Sequence, residues 1–510
     1  DSFIGAFCNY FKSLKLGELA STVSSKTRKS LFRKFLELHM GFYDFEANNP
    51  NGLLSIITVE INILKLFFSV IINAVTVTLG MIITASIIGL YFDWKLSLIL
   101  LCFFPLRIVF SFFAGKFKLE GKTKYKEIRI EAASYFSECV TNTKTIFSFN
   151  FQKGAIEMYK SNLDRETTDY IKDSLILSAF LAAGDFLSYA SNSVAYKCAM
   201  KFIRQRSLTF GNMNNVKKTL MSYIETTELQ IRGLSEYSKV RIAYKYIYKI
   251  LNTPSEINAF EDVNKDKISP KEIIGKIEFK NVTFSYPTKP QIKVLRNVSF
   301  VIQPGTRVAI VGNSESGKST IIQLIERFYD IYKGEILIDE INIKDYNLYE
   351  LRKKIGLITY EPVLFKRGMY ENILYGKLYA NRKEVFEAAS KAAIDKFLNV
   401  QEFELKENSS SQGEKQRISM ARVFLKDPTI LLLDNVTASL DKESEKEIKK
   451  KISEFQKGRT SIAVTHRLST ITNYDNILYM NGGRLVEQGT HAQLIEKRGQ
   501  YYNLYKISEK

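Results

Sequence analysis

The longest run without charge lies in the first half of the chain. From Leu66 to Phe92 the sequence contains no Asp, Glu, Lys or Arg, and a helix of that length crosses a bilayer. Asp93-Trp94-Lys95 follows, and then the largely apolar segment Leu96 to Ala114. Because tryptophan favours the membrane interface, we predict a transmembrane hairpin with a tight outside loop at Trp94. A pair of buried core helices is the alternative.

The stretches on both sides of this hairpin are charged but helically periodic. They run from Leu14 to Leu64 and from Lys116 to Lys172, and we predict membrane helices that extend well into the cytosol. Ser174 to Met200 is a third apolar segment, weakened as a span by one acidic and one basic residue. Asn215 to Tyr244 is so charged that lipid would penalise it. A degenerate span and a cytosolic helix both stay open for that region.

The composition limits the class of protein. The 510 residues are enough for two or more domains. The net charge of +19 is spread along the chain, and we interpret it as a Lys-rich surface near anionic lipid headgroups. No aromatic and basic module for nucleic acid accompanies it. The four cysteines and three histidines are too scattered for a metal cluster. The chain starts at Asp1 within a helical pattern and without Met, so we expect an upstream piece.

A polar linker, about Asn252 to Lys271, separates the helical half from a half in which strand and helix patterns alternate. Such alternation is typical of an α/β domain. The predicted strands lie near Ile277 to Phe284, Val308 to Val311, Glu335 to Ile338, Ile355 to Thr359, Ile430 to Leu433, Ser461 to Val464 and Ile477 to Met480.

One segment of this half has the spacing of a phosphate-binding P-loop. Gly312-Asn313-Ser314-Glu315-Ser316-Gly317-Lys318-Ser319-Thr320 follows the apolar run Val308 to Val311 and precedes a helical pattern, Ile321 to Phe328. The two glycines let successive N–H groups point at phosphate oxygens. Lys318 can reach the β- and γ-phosphates, and the Ser319 hydroxyl can ligate Mg²⁺. The sequence therefore predicts binding of a nucleoside triphosphate.

Further motifs surround the P-loop. The buried run Ile430 to Asp434 ends in a carboxylate, where Mg²⁺ and its water need an acidic partner. The other motifs are Phe284-Ser285-Tyr286-Pro287, Gly413-Glu414-Lys415-Gln416-Arg417, Thr437-Ala438-Ser439-Leu440-Asp441 and Thr465-His466-Arg467. In this order they resemble the nucleotide-binding domain of an ATP-binding cassette (ABC) transporter, over about residues 275 to 508.

The first half resembles the membrane domain of the multidrug-resistance/P-glycoprotein branch of exporters, subfamily B. The resemblance implies an incomplete, N-terminally truncated α-helical transmembrane bundle in residues 1–251, with long intracellular helices. A linker in residues 252–271 and an α/β P-loop nucleotide-binding domain in residues 272–510 would follow. Phe42 to Phe45 and Thr145 to Phe151 match the coupling helices that dock onto cassettes, and ordinary aromatic packing is the alternative.

The resemblance implies roles for residues at matching positions. With ATP and Mg²⁺ as cofactors, Tyr286 would stack on adenine and His466 would contact the γ-phosphate. Asp441 would lie in the loop that reaches across a dimer interface. Ser319 and Asp434 would hold Mg²⁺, the latter through water. A surface-turn tyrosine, a structural histidine and a helix-capping aspartate are the respective alternatives for the first three.

The family also implies partners. Two cassettes close on two ATP molecules, each held between one P-loop and the signature segment of the other cassette. We therefore expect a second cassette, from a missing half or from a dimer partner. Membrane lipid and a transported solute are the other expected partners, and nucleic acid is not expected.

Four motifs depart from the family pattern. Asn435 stands where a glutamate polarises the attacking water, and an amide cannot accept a proton. Tyr360 replaces the loop glutamine that helps to hold Mg²⁺. The signature segment aligns with Ser410 to Glu414. Ser411 and Gly413 match the family pattern, and Gln412 and Glu414 depart from it. Glu315 occupies a P-loop position where glycine is usual, and we expect its side chain to point to solvent.

The sequence thus predicts half of an ABC exporter, integral to an unspecified membrane, with a cytosolic nucleotide-binding domain and weak or partner-dependent hydrolysis. A nucleotide-binding regulatory subunit with little turnover and a non-functional fragment stay open as alternatives. Soluble cassette proteins of translation or DNA repair are disfavoured by the run from Leu66 to Phe92.

Overall fold

The structure is a computed structural model that describes most of the chain. The described residues are 2–45, 48, 50–103, 105–106, 109–110, 132, 135–205, 208–220, 237–258, 260, 266–270, 272–394, 411–436 and 442–508. They fall into two compact units. The helical unit consists of Asp1–Arg33 and Leu53–Thr253, and the sheet unit consists of Lys34–Gly52 and Pro254–Lys510. The domain limits expected from the sequence stay a prediction.

Helices make up the helical unit and the segment Lys34–Gly52. They are α1 Ser2–Glu37, α2 Met40–Tyr43, α3 Pro50–Ser55, α4 Ile61–Leu66, α5 Asn73–Phe92, α6 Trp94–Leu101, α7 Thr143–Ser148, α8 Gln152–Arg204 and α9 Tyr237–Leu251, with π-helical turns at Ile56–Glu60 and Phe67–Ile72. The 53 residues of α8 give a length of roughly 80 Å at about 1.5 Å per residue. A hydrocarbon core is about 30 Å thick, so α8 is long enough to cross a bilayer and extend well beyond it.

The predicted hairpin turn lies at Asp93, between α5 and α6. Its side chain accepts a hydrogen bond of 2.7 Å from the Leu96 N–H, which caps α6. An added Cβ at Gly89 would lie 3.0 Å from Ser97 Oγ, so the two helices approach closely. By length and composition, two helical stretches among the described residues could cross a membrane, Gly52–Phe92 and Ile171–Arg204. The latter contains the third predicted segment.

The long amphipathic stretch from Leu14 to Leu64 is not one helix. α1 ends at Glu37, and His39 adopts an extended backbone before the short α2 begins. Residues 111–131 and 221–236 lie outside the described part of the chain. The stretches Lys116 to Lys172 and Asn215 to Tyr244 are therefore described only in part.

Two sheets form the body of the sheet unit. The strands are β1 Ile277–Phe284, β2 Leu295–Ile302, β3 Arg307–Gly312, β4 Lys333–Ile338, β5 Ile341–Asn342, β6 Ile355–Ile358, β7 Ile430–Asp434, β8 Thr460–Val464, β9 Asn476–Asn481 and β10 Arg484–Gly489. The first sheet is antiparallel, in the order β2-β1-β4-β5. The second has the order β10-β9-β3-β8-β7-β6, in which all strands except β10 run parallel.

The remaining helices of the sheet unit cover these sheets and connect their strands. They are α10 Lys318–Ile325, α11 Leu348–Lys354, α12 Met369–Leu374, α13 Arg382–Lys391, α14 Gln412–Lys426, α15 Lys442–Gln456, α16 His491–Glu496 and α17 Gln500–Ser508. The helix after the P-loop thus begins three residues before the predicted Ile321. It starts directly after Gly317, because the loop itself supplies the first helical turn.

Every predicted strand position contains a strand, and three further strands are present. β2 and β10 lie at sheet edges and β5 has only two residues. Residues of β10 alternate between exposed and half-buried. The hydrophobic pattern does not reveal β5 and β10, because they are short or have no fully buried residue, whereas β2 buries Leu295, Val298, Phe300 and Ile302 and is nonetheless missing from the predicted strands.

The order of the parallel strands positions the loops of interest. The P-loop follows β3, His466 follows β8, Asp434 ends β7, and Tyr360 follows β6. These four strands are neighbours in the sheet. Because the carboxyl ends of parallel strands meet at one edge, four sequence motifs come together there.

Candidate nucleotide-binding site

The P-loop turn depends on two glycines with no space for a side chain. Gly312 has a φ of 144°, and a Cβ there would lie 1.9 Å from the Met480 carbonyl oxygen. Gly317 has a φ of 90°, and a Cβ there would lie 2.6 Å from Leu295 Cδ2. Conformation and packing therefore both require glycine, and the loop keeps the curl that presents N–H groups to an anion.

The residues between these glycines differ in exposure. Asn313, Ser314 and Glu315 are exposed, whereas Ser316 is buried. Glu315 adopts a left-handed backbone with a φ of 61°. Its exposed side chain agrees with the expected solvent-pointing orientation, so the substitution of the usual glycine does not fill the loop.

Lys318 lies inside the loop. Its ammonium donates hydrogen bonds to the carbonyl oxygens of Gly312 at 3.1 Å and Asn313 at 2.5 Å, and to Ser316 Oγ at 3.3 Å. The side chain is buried, and this burial lowers the pKa of Lys318, an effect that the Asp434 carboxylate opposes. A positive charge is thus held at the centre of a curled loop, where a phosphate chain would need it.

Ser319, in the first turn of α10, is hydrogen-bonded to Asp434, at the end of β7. Ser319 Oγ donates a hydrogen bond of 3.0 Å to Asp434 Oδ1. Burial raises the pKa of Asp434, while hydrogen bonds from Ser319 and Asn435 and the nearby charges of His466 and Lys318 lower it. A hydroxyl and a carboxylate oxygen next to a phosphate loop are ligands that suit Mg²⁺. The donor set present therefore fits the metal that the sequence predicts.

Asn435 is held against this pair. It adopts a left-handed backbone with a φ of 50°, which asparagine tolerates, and its N–H donates to the Val464 carbonyl at 2.9 Å. Asn435 Nδ2 donates to Asp434 Oδ1 at 3.2 Å. Its Oδ1 is buried and has no hydrogen-bond partner among the described residues. The side-chain NH₂ of Asn435 thus faces the Asp434 carboxylate, and its carbonyl oxygen accepts no hydrogen bond from the described residues.

His466 follows β8 on the same edge. Burial lowers the pKa of His466, and the charge of Lys318 lowers it further, whereas Asp434 raises it. The imidazole is therefore electrostatically coupled to both the P-loop lysine and the strand-end carboxylate. A structural histidine elsewhere in the fold would not feel these two groups, so the geometry favours the predicted site role.

Tyr286 is hydrogen-bonded to α10, the helix that begins at the P-loop. Its hydroxyl donates to Gln323 Oε1 at 2.8 Å and shares a hydrogen bond of 2.9 Å with Thr320 Oγ1. Its ring lies edge-on to Phe284 and Tyr329, with centroid distances of 5.0 and 5.2 Å. These contacts place a half-buried aromatic side chain beside the loop, which disfavours an ordinary surface-turn tyrosine.

The signature segment lies at the start of α14. Ser411 is the N-cap, and its hydroxyl accepts a hydrogen bond from the Glu414 N–H at 3.2 Å. The Glu414 carboxylate accepts one from the Ser411 N–H at 2.9 Å. This reciprocal pair is a capping box, which gives Glu414 a local structural role. Gly413 lies in the first turn of the helix, and Ser410 lies outside the described residues.

Tyr360 follows β6 and is 40% exposed. The carbonyl of its neighbour Thr359 accepts a hydrogen bond of 3.1 Å from Gln416 Nε2, which ties α14 to this loop. Within the part of the chain that the structure describes, the buried Gln416 Oε1 has no hydrogen-bond partner. The sequence does not single out Gln416, although its position two residues after Glu414 places it on the buried face of α14.

Other predicted residues are only partly tested. Asp441 and the rest of Thr437 to Asp441 lie outside the described residues. The segment Phe42 to Phe45 belongs to the sheet unit, and its Asp44 carboxylate accepts a hydrogen bond of 2.9 Å from the Tyr329 hydroxyl. The aromatic residues of Thr145 to Phe151 lie at the end of α7 and are exposed. Sequence reasoning misses Tyr329 and Gln323, and only the helical spacing of Gln323 from Thr320 could have indicated the latter.

Family models match both halves of the chain. The model of the ABC transporter transmembrane region matches residues 2–224, and the ABC transporter model matches residues 295–438. The first match begins in α1 and includes α8. The second match contains the P-loop, Tyr360 and Asp434.

Curated relatives are similar to this chain over most of its length. The chain is 32% identical to ABC transporter B family member 13 of Arabidopsis thaliana, over 98% of this chain and 40% of that protein. It is 30% identical to multidrug resistance protein pgp-1 of Caenorhabditis elegans, over 98% of this chain and 38% of that protein. To multidrug resistance protein 1 of Entamoeba histolytica it is 35% identical, over 82% and 34%. The chain thus spans about two fifths of the length of its curated relatives.

The fold has a counterpart among solved structures. A bacterial Atm1-family ABC exporter with ATP bound superposes with a TM-score of 0.85 at 24% identity, covering 100% of this chain and 90% of that chain. The match confirms the predicted fold class, a helical transmembrane domain followed by a nucleotide-binding domain with α/β sheets. With a transmembrane region, an ATP-binding cassette and these relatives, the chain belongs to the ABC transporter family, in its B-family and multidrug-resistance branch.

Proposed function

We propose that this chain is one half of an ABC exporter that binds Mg²⁺-ATP at its P-loop and couples that binding to the export of a solute, with slow or partner-dependent hydrolysis. The observation that carries the proposal is the combination of a complete phosphate loop around Lys318 with an amide at position 435. The first favours nucleotide binding, and the second limits turnover.

Support for binding comes from the loop itself. Gly312 and Gly317 have positive φ angles and no space for Cβ, and the Lys318 ammonium lies among loop oxygens. Ser319 and Asp434 supply hydroxyl and carboxylate oxygens for Mg²⁺. When bound, the metal would neutralise phosphate charge. These residues would orient the triphosphate without any contribution from position 435.

Slow turnover follows from the chemistry of Asn435. An amide cannot take a proton from water, and the loss of a general base costs about 10²- to 10⁴-fold in rate. The NH₂ group of this amide donates a hydrogen bond to Asp434, which is one of the two residues proposed to hold the metal. Asn435 therefore supports Asp434 and supplies no base to the attacking water at this position.

A second cassette would complete the proposed assembly. Ser411 and Gly413 would face the ATP of that partner, and Gln412 would crowd the approach of the backbone to phosphate. The apolar stretch Gly52–Phe92 supports insertion in a lipid bilayer. The same substitution at position 435 favours a second candidate function, a regulatory subunit that binds ATP but hardly hydrolyses it.

The test combines binding and turnover on the full chain in lipid nanodiscs with a transport assay on the same variants in sealed proteoliposomes. We expect wild-type protein to bind Mg²⁺-ATP and to hydrolyse it slowly, and Lys318→Ala to lose binding. Asn435→Glu should raise the hydrolysis rate by about 10²-fold or more, while Asn435→Gln serves as the matched control without a base.

The outcomes separate the candidates. Turnover that rises in Asn435→Glu and export that depends on it would support the exporter, whereas binding without export in every variant favours the regulatory subunit. Fast hydrolysis by the purified wild-type chain would contradict slow turnover. A wild-type chain that binds no ATP would exclude both functions.

A further inference from the structure

Asp44 connects the segment Lys34–Gly52 to the aromatic cluster of the nucleotide site. Its Oδ2 accepts a hydrogen bond of 2.9 Å from the Tyr329 hydroxyl, across 285 positions of sequence. Tyr329 is 8% exposed. Burial raises the pKa of Tyr329, and the Asp44 carboxylate raises it further. The phenol therefore stays protonated and donates to the carboxylate at any physiological pH.

Tyr329 in turn contacts the tyrosine beside the P-loop. Its ring lies edge-on to Tyr286, at a centroid distance of 5.2 Å and an interplanar angle of 86°, and it also contacts Phe284 at 5.7 Å. The other end of Tyr286 is held by Thr320 and Gln323. The orientation of the Tyr286 ring is thus set by α10 through its hydroxyl and by Tyr329 through its edge.

A second contact of the same segment reaches the residue after Tyr286. A Cβ on Gly41 would lie 2.9 Å from Pro287 Cγ, so α2 packs directly on this proline. The Ser255 hydroxyl also donates to the Glu37 carbonyl at 2.6 Å. Segment Lys34–Gly52 therefore touches both the ring neighbour and the chain neighbour of Tyr286, and its position and that of the ring depend on each other.

We propose that Asp44 is a positioning residue for the base end of the nucleotide site: through the Tyr329 hydroxyl it fixes the ring that supports Tyr286, and so it sets the affinity for the adenine part of ATP. The inference rests on the proposed binding of ATP at the P-loop. It predicts that changes at Asp44 alter recognition of the base and leave recognition of the triphosphate intact, because among the described residues Lys318 and Ser319 hydrogen-bond to loop oxygens and to Asp434 rather than to Asp44, Tyr329 or Tyr286.

The experiment measures the dissociation constants of Mg²⁺-ATP and of inorganic tripolyphosphate for the full chain in nanodiscs. Tyr329→Phe keeps the ring and removes the hydroxyl, and Asp44→Ala removes the acceptor. Each should weaken ATP binding by about three- to tenfold, the effect of losing one hydrogen bond, with unchanged tripolyphosphate binding. The dissociation constant of ATP for the double variant should not exceed the larger of the two single-variant values, because the two residues act as one pair.

Two variants serve as controls. Asp44→Asn keeps an oxygen acceptor and should retain wild-type ATP affinity. Tyr346→Phe removes another buried hydroxyl of the same unit, which donates to the Ile338 carbonyl at 2.9 Å, and should not change ATP affinity.

Three results would overturn the inference. Unchanged ATP affinity in both Asp44→Ala and Tyr329→Phe would do so while leaving the proposed function intact. Equal weakening of ATP and tripolyphosphate binding would indicate a general structural role for Asp44 instead. A wild-type chain that binds neither compound would remove the proposed function and this inference together.

Discussion

Gly312 at the end of β3 offers a quantitative test of the site geometry. In Gly312→Ala the new Cβ would lie 1.9 Å from the Met480 carbonyl oxygen, and real Cβ contacts essentially never fall below 3.0 Å. Gly312 and Met480 are paired in the register of β3 and β9. Relief of the clash therefore has to separate two strands of the central sheet or move the start of the P-loop.

The cost can be estimated against a control glycine that also has a positive φ but has open space around a Cβ. Gly458 has a φ of 75° but nothing within 4 Å of a Cβ, so Gly458→Ala should cost only the conformational strain, about 1 kcal/mol. Gly312→Ala adds a clash between backbone and Cβ and should cost about 3 kcal/mol or more in the free energy of unfolding. For a domain of this size these costs correspond to roughly 2–4 °C and 6–12 °C in the thermal midpoint.

The assay is thermal unfolding of the full chain in nanodiscs, followed by Mg²⁺-ATP titration of each folded variant. We expect Gly312→Ala to lose ATP binding, because the loop that surrounds Lys318 begins at this residue. Gly458→Ala should bind as wild type does. Equal midpoints for the two variants, with ATP binding retained in Gly312→Ala, would refute the close approach of Met480.

Three further predictions concern the same unit and use the same unfolding measurement. Ser411→Ala removes the N-cap of α14 and should cost about 1 kcal/mol, whereas Ser411→Gly should cost less; equal losses would contradict the capping box. His466 has a lowered pKa in the folded state, so the unfolded state takes up the proton first and stability should fall as the pH drops below about 6.5. His466→Gln should flatten that acid dependence, and an unchanged dependence would refute the assignment. Arg422 donates to the Asn372 carbonyl at 2.8 Å, to Asn372 Oδ1 at 2.6 Å and to the Val363 carbonyl at 2.8 Å; Arg422→Lys cannot make all three bonds and should cost about 2 kcal/mol, so a loss below the error of measurement would contradict this network.

Much of the site is predictable from sequence, because its parts are local. The P-loop, the strand that ends at Asp434 and the Thr465-His466-Arg467 turn each combine an apolar strand with polar residues at its carboxyl end. The structure confirms a strand before each of them. Parallel neighbours then bring these ends to one edge of the sheet, which is why motifs far apart in sequence form one site.

Other features escape the pattern because their physical cause is not local. The helix break at His39 lies within the amphipathic stretch from Leu14 to Leu64. Neither proline nor glycine is directly beside His39, so the sequence does not mark the break. Glu414 reads as a misplaced charge in a signature segment, yet in the structure its carboxylate caps α14 together with Ser411. The edge strand β10 is missed because none of its residues is fully buried, which leaves no clear alternation of apolar and polar residues.

By itself the sequence determined that this chain has a membrane-crossing stretch and a phosphate-binding loop, because an uncharged run and a strand–loop–helix motif depend on neighbouring residues alone. Only the tertiary structure decided which distant groups surround that loop. Met480 excludes a side chain at Gly312, Ser319 donates a hydrogen bond to Asp434, and Asp44 accepts one from Tyr329, which lies beside Tyr286. These contacts join positions far apart in the chain, and their distances are set by sheet register and helix packing, which no short sequence pattern encodes.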